Sequence, residues 1–225
     1  MELFPLSCPH AEFTLRGDTS GLSCNTLILH GAGKSNRARF LRLRTALADR
    51  GHCSAAFDFV GHGETGGTLS MSSLHDRTQQ GLAFIREHMS APLSLIGASM
   101  SGYTAIQLTR LFPVANLVLL VPAAYTPLAC DVPFGPDFSR IIREPGSWRE
   151  SDAFSALAKF RGRLTIFAAQ RDDVIPAELT QMLLDAAMNA QSPKLYTVEG
   201  STHGNLFHDD KTLGWAADII TSALT

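Results

Sequence analysis

Leu93-Ser94-Leu95-Ile96-Gly97-Ala98-Ser99-Met100-Ser101-Gly102-Tyr103 is the stretch that decides the reading of this chain. An apolar run, suited to a buried strand, meets a tight Gly-x-Ser turn. A helix-compatible segment follows at once. Strand, sharp turn carrying a serine, and helix together form the context of a nucleophile elbow. Such a turn lifts the Ser99 hydroxyl clear of the sheet. It also sets the positive end of the following helix beneath any anion formed there. Strand and helix cross closely at an elbow, so its neighbours must be small. The usual pattern is Gly-x-Ser-x-Gly. Here Ser101 takes the fifth position and the glycine comes one residue later, at Gly102.

Outward from the elbow, short apolar runs alternate with helical patterns. Glu12 to Gly17 reads as a leading strand, Thr26 to Leu29 as a short buried one, and Cys53 to Phe57 as the next. Asn116 to Val121, Arg163 to Ala168 and Lys194 to Val198 continue the series. Between them Phe40, Leu43 and Leu47 recur at helical spacing. So do Leu82, Ile85 and Met89, then Leu179, Met182, Leu183 and Ala186, and finally Leu213, Ala216, Ile220 and Leu224. Regular alternation predicts an α/β fold, a mostly parallel central sheet with helices on both faces. One interval breaks the rhythm. Residues 123–160 hold Pro127, Pro133, Pro136 and Pro145 among aromatic residues, and read as a small cap inserted between two late strands of a single domain spanning 1–225.

Composition narrows the partners. The chain has 225 residues, 45% hydrophobic and 18% charged, with a formal net charge of −2, which gives no reason to expect nucleic acid or an anionic membrane. Its N-terminus lacks the basic and apolar regions of a signal peptide, and no apolar run approaches the roughly 20 residues of a membrane span. Cys8, Cys24, Cys53 and Cys130 are scattered without metal-binding spacing and read as reduced thiols, so no metal is expected. These features predict a cytoplasmic protein, monomeric or homodimeric.

Ligands bind at the carboxyl ends of strands in open α/β sheets, so the polar residues at those ends carry the chemistry. The first buried strand ends in His30-Gly31-Ala32-Gly33, a turn able to present a backbone N–H to a substrate oxygen. Ala32 and Met100 are the expected oxyanion donors, with Gly31 and Tyr125 touching substrate. Asp58-Phe59-Val60-Gly61-His62-Gly63 reads as a structural turn, with His62 packed under the oxyanion loop. The strand at 163–168 leads to Asp172, better placed than Asp173 to orient an imidazole. The last strand leads to His203 in a small-residue loop, with His208 as its rival. Gly33-Lys34-Ser35 invites a phosphate-loop reading, but that pattern needs glycine where Ile28 stands inside a strand. Cap residues Arg140, Arg143 and Arg149 read as a solvated surface, with substrate-anion binding as the alternative.

Ser99, Asp172 and His203 follow one another at intervals of 73 and 31 residues, in the order Ser, Asp, His. With His30-Gly31-Ala32-Gly33, the Asp58 turn and Gly97-Ala98-Ser99, the chain resembles an α/β-hydrolase over roughly residues 12–224. The resemblance implies a cofactor-free serine hydrolase acting on a small-molecule acyl substrate, an ester or thioester, through an acyl-enzyme. A peptidase, lactonase or carbon–carbon hydrolase on the same triad, or a non-catalytic binding module, are its alternatives.

Overall fold

A computed structural model describes residues 1–224. Eight strands form one sheet: β1 (Phe4–His10), β2 (Phe13–Thr19), β3 (Thr26–Leu29), β4 (Ala55–Phe57), β5 (Leu93–Ala98), β6 (Val114–Leu120), β7 (Arg163–Arg171) and β8 (Gln191–Thr202). Their spatial order is β1-β2-β4-β3-β5-β6-β7-β8. From β4 to β8 every neighbouring pair is parallel, while β1 and β2 add an antiparallel edge. The chain runs from β3 out to β4, then crosses back over β3 to β5. That reversal opens a crevice at the carboxyl ends of β3 and β5, where α/β sheets bind ligands.

The central strands are apolar on both faces, as burial between two helical layers requires. Leu27, Leu29, Leu95, Leu117 and Leu119 face one layer, and Ile28, Ile96, Val118 and Leu120 the other. The first layer holds α2 (Leu74–His88), α3 (Met100–Leu108), α5 (Asp152–Leu157) and α6 (Ala177–Ala186), while α1 (Leu41–Ala48) and α7 (Asp210–Leu224) make the second. Among the described residues no helix is long and apolar enough to cross a membrane.

Three features depart from the sequence reading. The strand β1 went unseen because Pro5 and Pro9 argue against a strand, and prolines are tolerated only on an edge such as this one. Cys24 and Cys53 are not separate thiols but a joined pair, with Cα atoms 5.5 Å apart. They stand just before β3 and β4, and the parallel register Leu27 to Ala55 brings them side by side. Residues 123–160 do lie between β6 and β7, and contain α4 (Pro136–Ile142) and α5. Their apolar side chains, Phe134, Phe138, Ala153 and Leu157 among them, merge into the core layer of α2 and α3. The segment is thus bedded on the body of the domain.

An aromatic stack sits at the centre of the first layer. Phe57 of β4 and Phe84 of α2 lie face to face, with centroids 4.6 Å apart and neither ring exposed. Phe84→Ala leaves a cavity that the rigid sheet cannot close, and should lower stability by about 3–5 kcal/mol. The midpoint of urea unfolding checks this.

Candidate active site

Five of the polar residues singled out above stand one position beyond a strand. His30 follows β3, Asp58 follows β4, Ser99 follows β5, Asp172 follows β7 and His203 follows β8. Parallel strands bring these ends to one edge of the sheet.

Ser99 turns the chain from β5 into α3 with φ 51° and ψ −118°, a sparsely populated conformation for a residue with a side chain. Backbone bonds hold it. Its N–H donates to the Leu120 carbonyl at 2.9 Å, and its own carbonyl accepts from Gly102 and Ala123 at 2.8 and 3.0 Å. The turn also requires close approach. A Cβ at Gly97 would lie 2.3 Å from the Ser101 carbonyl oxygen, so only glycine fits there. Gly31 passes so near that an added Cβ would lie 3.2 Å from that of Ser99.

His203 Nε2 is 3.0 Å from Ser99 Oγ, and His203 Nδ1 is 3.1 and 3.0 Å from the two carboxylate oxygens of Asp172. Asp172 Oδ1 also accepts from the N–H groups of Val174 and Ile175 at 2.9 and 2.8 Å. The carboxylate is thereby anchored, and it fixes the imidazole with its proton on Nδ1 and its lone pair on Nε2 facing Ser99. Asp173 is exposed and His208 pairs with Asp209, so neither rival enters this array.

The cleft beside Ser99 has a volume of about 500 Å³. Gly31, Ala32, Ser99 and His203 line it, with Phe40, Leu43, Leu206, Phe207 and Leu213 as its apolar wall. Met100 opens α3, so its N–H has no carbonyl one turn back to bond. Ala32 and Met100 thus flank Ser99 from two elements. All the lining comes from the side of α1 and α7, and none from residues 123–160. Tyr125, expected to touch substrate, is instead buried against Tyr103 and Phe138, with centroids at 5.5 and 5.9 Å. Burial pushes its phenol pKa far up. The cap arginines are also elsewhere: Arg149 pairs with Glu178 and Arg140 with Asp137.

Behind the loop lies a polar layer that the sequence reading saw only in part. Phe59 N–H donates to His30 Nε2 at 3.2 Å, which leaves the His30 proton on Nδ1, 2.8 Å from the Gly31 carbonyl. His62 lies against His30, with centroids 4.7 Å apart, and its Nδ1 is 2.9 Å from the Ser35 carbonyl oxygen. Asp58, fully buried, accepts from the Arg37 and Glu64 N–H groups and pairs with the Arg37 guanidinium. Arg37 also holds Asp18 and Glu64, so it is a structural cation. Arg77 of α2 was not singled out by any motif, yet it is completely buried beneath His30 and Gly31. Burial lowers its pKa to about 9.

The family is decided by the sequence between β3 and β8. Residues 26–197 match the model of the alpha/beta hydrolase family. The chain belongs to that family. No curated protein matches it in sequence. Solved structures share its fold at low identity. A thioesterase domain from the curacin biosynthetic pathway is 15% identical, with a TM-score of 0.75 over 99% of this chain and 100% of that one. Est1E from Butyrivibrio proteoclasticus, solved with ferulic acid bound, is 14% identical, with a TM-score of 0.74 over 97% of each chain. An esterase from Pyrococcus furiosus is 17% identical, with a TM-score of 0.71 over 98% of this chain and 92% of that one. This hydrolase thus has the family's sheet.

The histidine layer makes stability depend on pH. Burial, reinforced by the neighbouring Arg77, holds the pKa of His30 well below the ordinary histidine value and lowers that of His62. Both take up protons less readily in the folded state than in the unfolded chain, which binds them near pH 6.5. Stability is therefore full above that pH and falls as the pH drops toward the depressed folded values. Each histidine should contribute up to about 1.4 kcal/mol per pH unit. Urea midpoints measured between pH 7.5 and 5.5 should decline, and His30→Gln should flatten the slope. An unchanged slope would assign the pH dependence elsewhere.

Proposed function

We propose that this hydrolase cleaves carboxylic ester or thioester bonds of small to medium acyl substrates through a Ser99 acyl-enzyme. The observation that carries the reading is the continuous relay from Ser99 Oγ through His203 to Asp172, at 3.0 Å and 3.0–3.1 Å. His203 Nε2 takes the Ser99 proton as Oγ bonds to the acyl carbon. The carbonyl π pair moves onto oxygen, where the Ala32 and Met100 N–H groups receive it. The imidazolium is stabilised by Asp172 and gives its proton to the departing alcohol or thiol. Water, deprotonated by His203, then attacks the acyl-enzyme, and Ser99 leaves with the proton returned. The volume of the cleft and its wall of Phe40, Leu43, Leu206 and Phe207 suit an acyl group of modest length.

The mouth of the cleft adds a preference. Lys34, Arg39 and Arg42 line it, with no carboxylate among its lining side chains. Arg42 is offset by Asp210 in an exposed pair, and Arg39 donates to the Gly204 carbonyl. Positive charge is left in excess, so substrates with an anionic group on the acyl chain or the leaving group are favoured. This takes over the part considered for the cap arginines.

Two measurements test the reading. The protein should hydrolyse p-nitrophenyl esters and react with a fluorophosphonate at Ser99, and Ser99→Ala should abolish both. A folded parent that is neither active nor labelled would instead support a non-catalytic binding module. Lys34→Ala should raise KM for a p-nitrophenyl hemiester bearing a free carboxylate by up to about fivefold, since exposed charge pairs contribute roughly 0.2–1 kcal/mol. Its KM for p-nitrophenyl butyrate should not move. Equal effects on both esters would remove the anion preference.

A further inference from the structure

We propose that Arg77 is the positioning residue of the oxyanion hole, and that Ser101 replaces the usual elbow glycine in order to lock Arg77 to the nucleophile helix. The inference rests on the esterase reading above.

Arg77 Nη2 donates to three acceptors: the His30 carbonyl at 2.6 Å, the Gly31 carbonyl at 3.3 Å and Ser101 Oγ at 2.9 Å. Ser101 in turn donates its hydroxyl proton to the same His30 carbonyl at 2.5 Å. One guanidinium nitrogen therefore ties the end of β3 to the first turn of α3. These are the two elements that carry Ala32 and Met100. Glycine at 101 would offer Arg77 no acceptor, and the tie would be cut on the α3 side.

The remaining surroundings of Arg77 hold it without neutralising it. Nη1 is 3.4 Å from His62 Nε2, the guanidinium carbon lies 3.8 Å over the Phe59 ring, and Nε is buried with no partner among the described residues. Every partner is a neutral dipole or an aromatic face. An arginine whose role was only to fill the core would leave such a site to a carbon side chain, and one whose role was only to pair would have a carboxylate.

Peptide geometry connects this cation to the chemistry. In a trans peptide the carbonyl and the following N–H point in opposite directions. The Gly31 carbonyl is drawn back by Arg77 and by His30 Nδ1–H, so the Ala32 N–H is turned forward to the cleft that Gly31 and Ala32 line. Two donors on that carbonyl also polarise the peptide, which makes its N–H a stronger donor. Arg77 thus acts on the oxyanion through Ala32, without touching substrate.

The test compares Ser101→Ala, Ser101→Gly, Arg77→Gln and Arg77→Lys with the parent. Three quantities are read for each: thermal midpoint, kcat and KM on p-nitrophenyl butyrate, and the inhibition constant of an alkyl boronic acid, which bonds to Ser99 as a tetrahedral adduct. Arg77→Gln should lower kcat by about 10²-fold, near the effect of losing one oxyanion donor. KM should stay within about twofold, and boronate affinity should fall in step with kcat, as for an interaction made only in the transition state. Arg77→Lys should recover part of the loss, and the Ser101 variants should lose about tenfold by the same pattern. If Arg77→Gln does not fold, Ser101→Ala decides. A folded variant that keeps the parent's kcat and boronate affinity overturns the proposal whatever its thermal midpoint, and a lowered midpoint then makes Arg77 a packing residue. A folded parent that neither turns over the ester nor binds boronate overturns the enzyme reading itself, and this inference with it.

Discussion

Ser99 occupies a backbone conformation that the chain would not choose alone, and the rest of the structure is arranged to impose it. A residue held at such dihedrals costs on the order of 1–3 kcal/mol. Bonds from Ser99 to Leu120, Gly102 and Ala123 offset that cost, and the bare α-carbon of Gly97 admits the crossing of α3 over β5. The strain has a chemical return. It puts Oγ beyond the sheet edge, within 3.0 Å of His203, at the opening of α3. The ends of β3, β7 and β8 bring Ala32, Asp172 and His203 to the same edge, and α1 and α7 add the apolar wall.

Buried charge is handled in two ways. Arg44 is fully buried, pairs with Asp18 and bonds Ser54, so its desolvation is met by a carboxylate and good donor geometry. Arg37 likewise gathers Asp18, Asp58 and Glu64. Among the described residues Arg77 has only carbonyls, a hydroxyl, an imidazole and a phenylalanine face. Desolvating a cation costs several kcal/mol, and dipoles compensate less than a carboxylate does. The first two arginines fasten the β2–β4 side of the sheet. The third places its field against the peptides that line the cleft.

The two faces of the sheet have divided the work. Residues 123–160 thicken the layer of α2, α3 and α6, and Tyr125 belongs to that aromatic packing. The cleft opens on the other side, between the loop after β3, the start of α1 and the loop carrying His203. On the proposed ester reading, acyl specificity falls to Phe40, Leu43, Leu206 and Phe207 together with the cationic mouth, on elements distant in sequence from the proline-rich insertion.

By itself the sequence determined the strands from β2 to β8, the sheet class and the residues that follow those strands. Apolar runs of strand length are local signals; Ser99 sits directly after one, and Asp172 and His203 lie within five residues of the runs that end at Ala168 and Val198. The helix of α3 was likewise plain from its small and apolar residues. Four things waited for the tertiary structure. Pairing decided that a proline-bearing segment, Phe4–His10, is an edge strand. The parallel register decided that Cys24 and Cys53 meet. Packing decided that Tyr125 and the insertion join the α2–α3 layer, since an apolar segment between strands fits either face of a sheet. Arg77 emerged only from three-dimensional proximity, because one arginine in an amphipathic helix looks like any solvated one. Its partners, His30, Gly31 and Ser101, are 24 to 47 residues away along the chain. Local pattern reports which residues a strand or helix will carry. Contacts between elements that far apart depend on strand order and crossing geometry, which no short window of sequence contains.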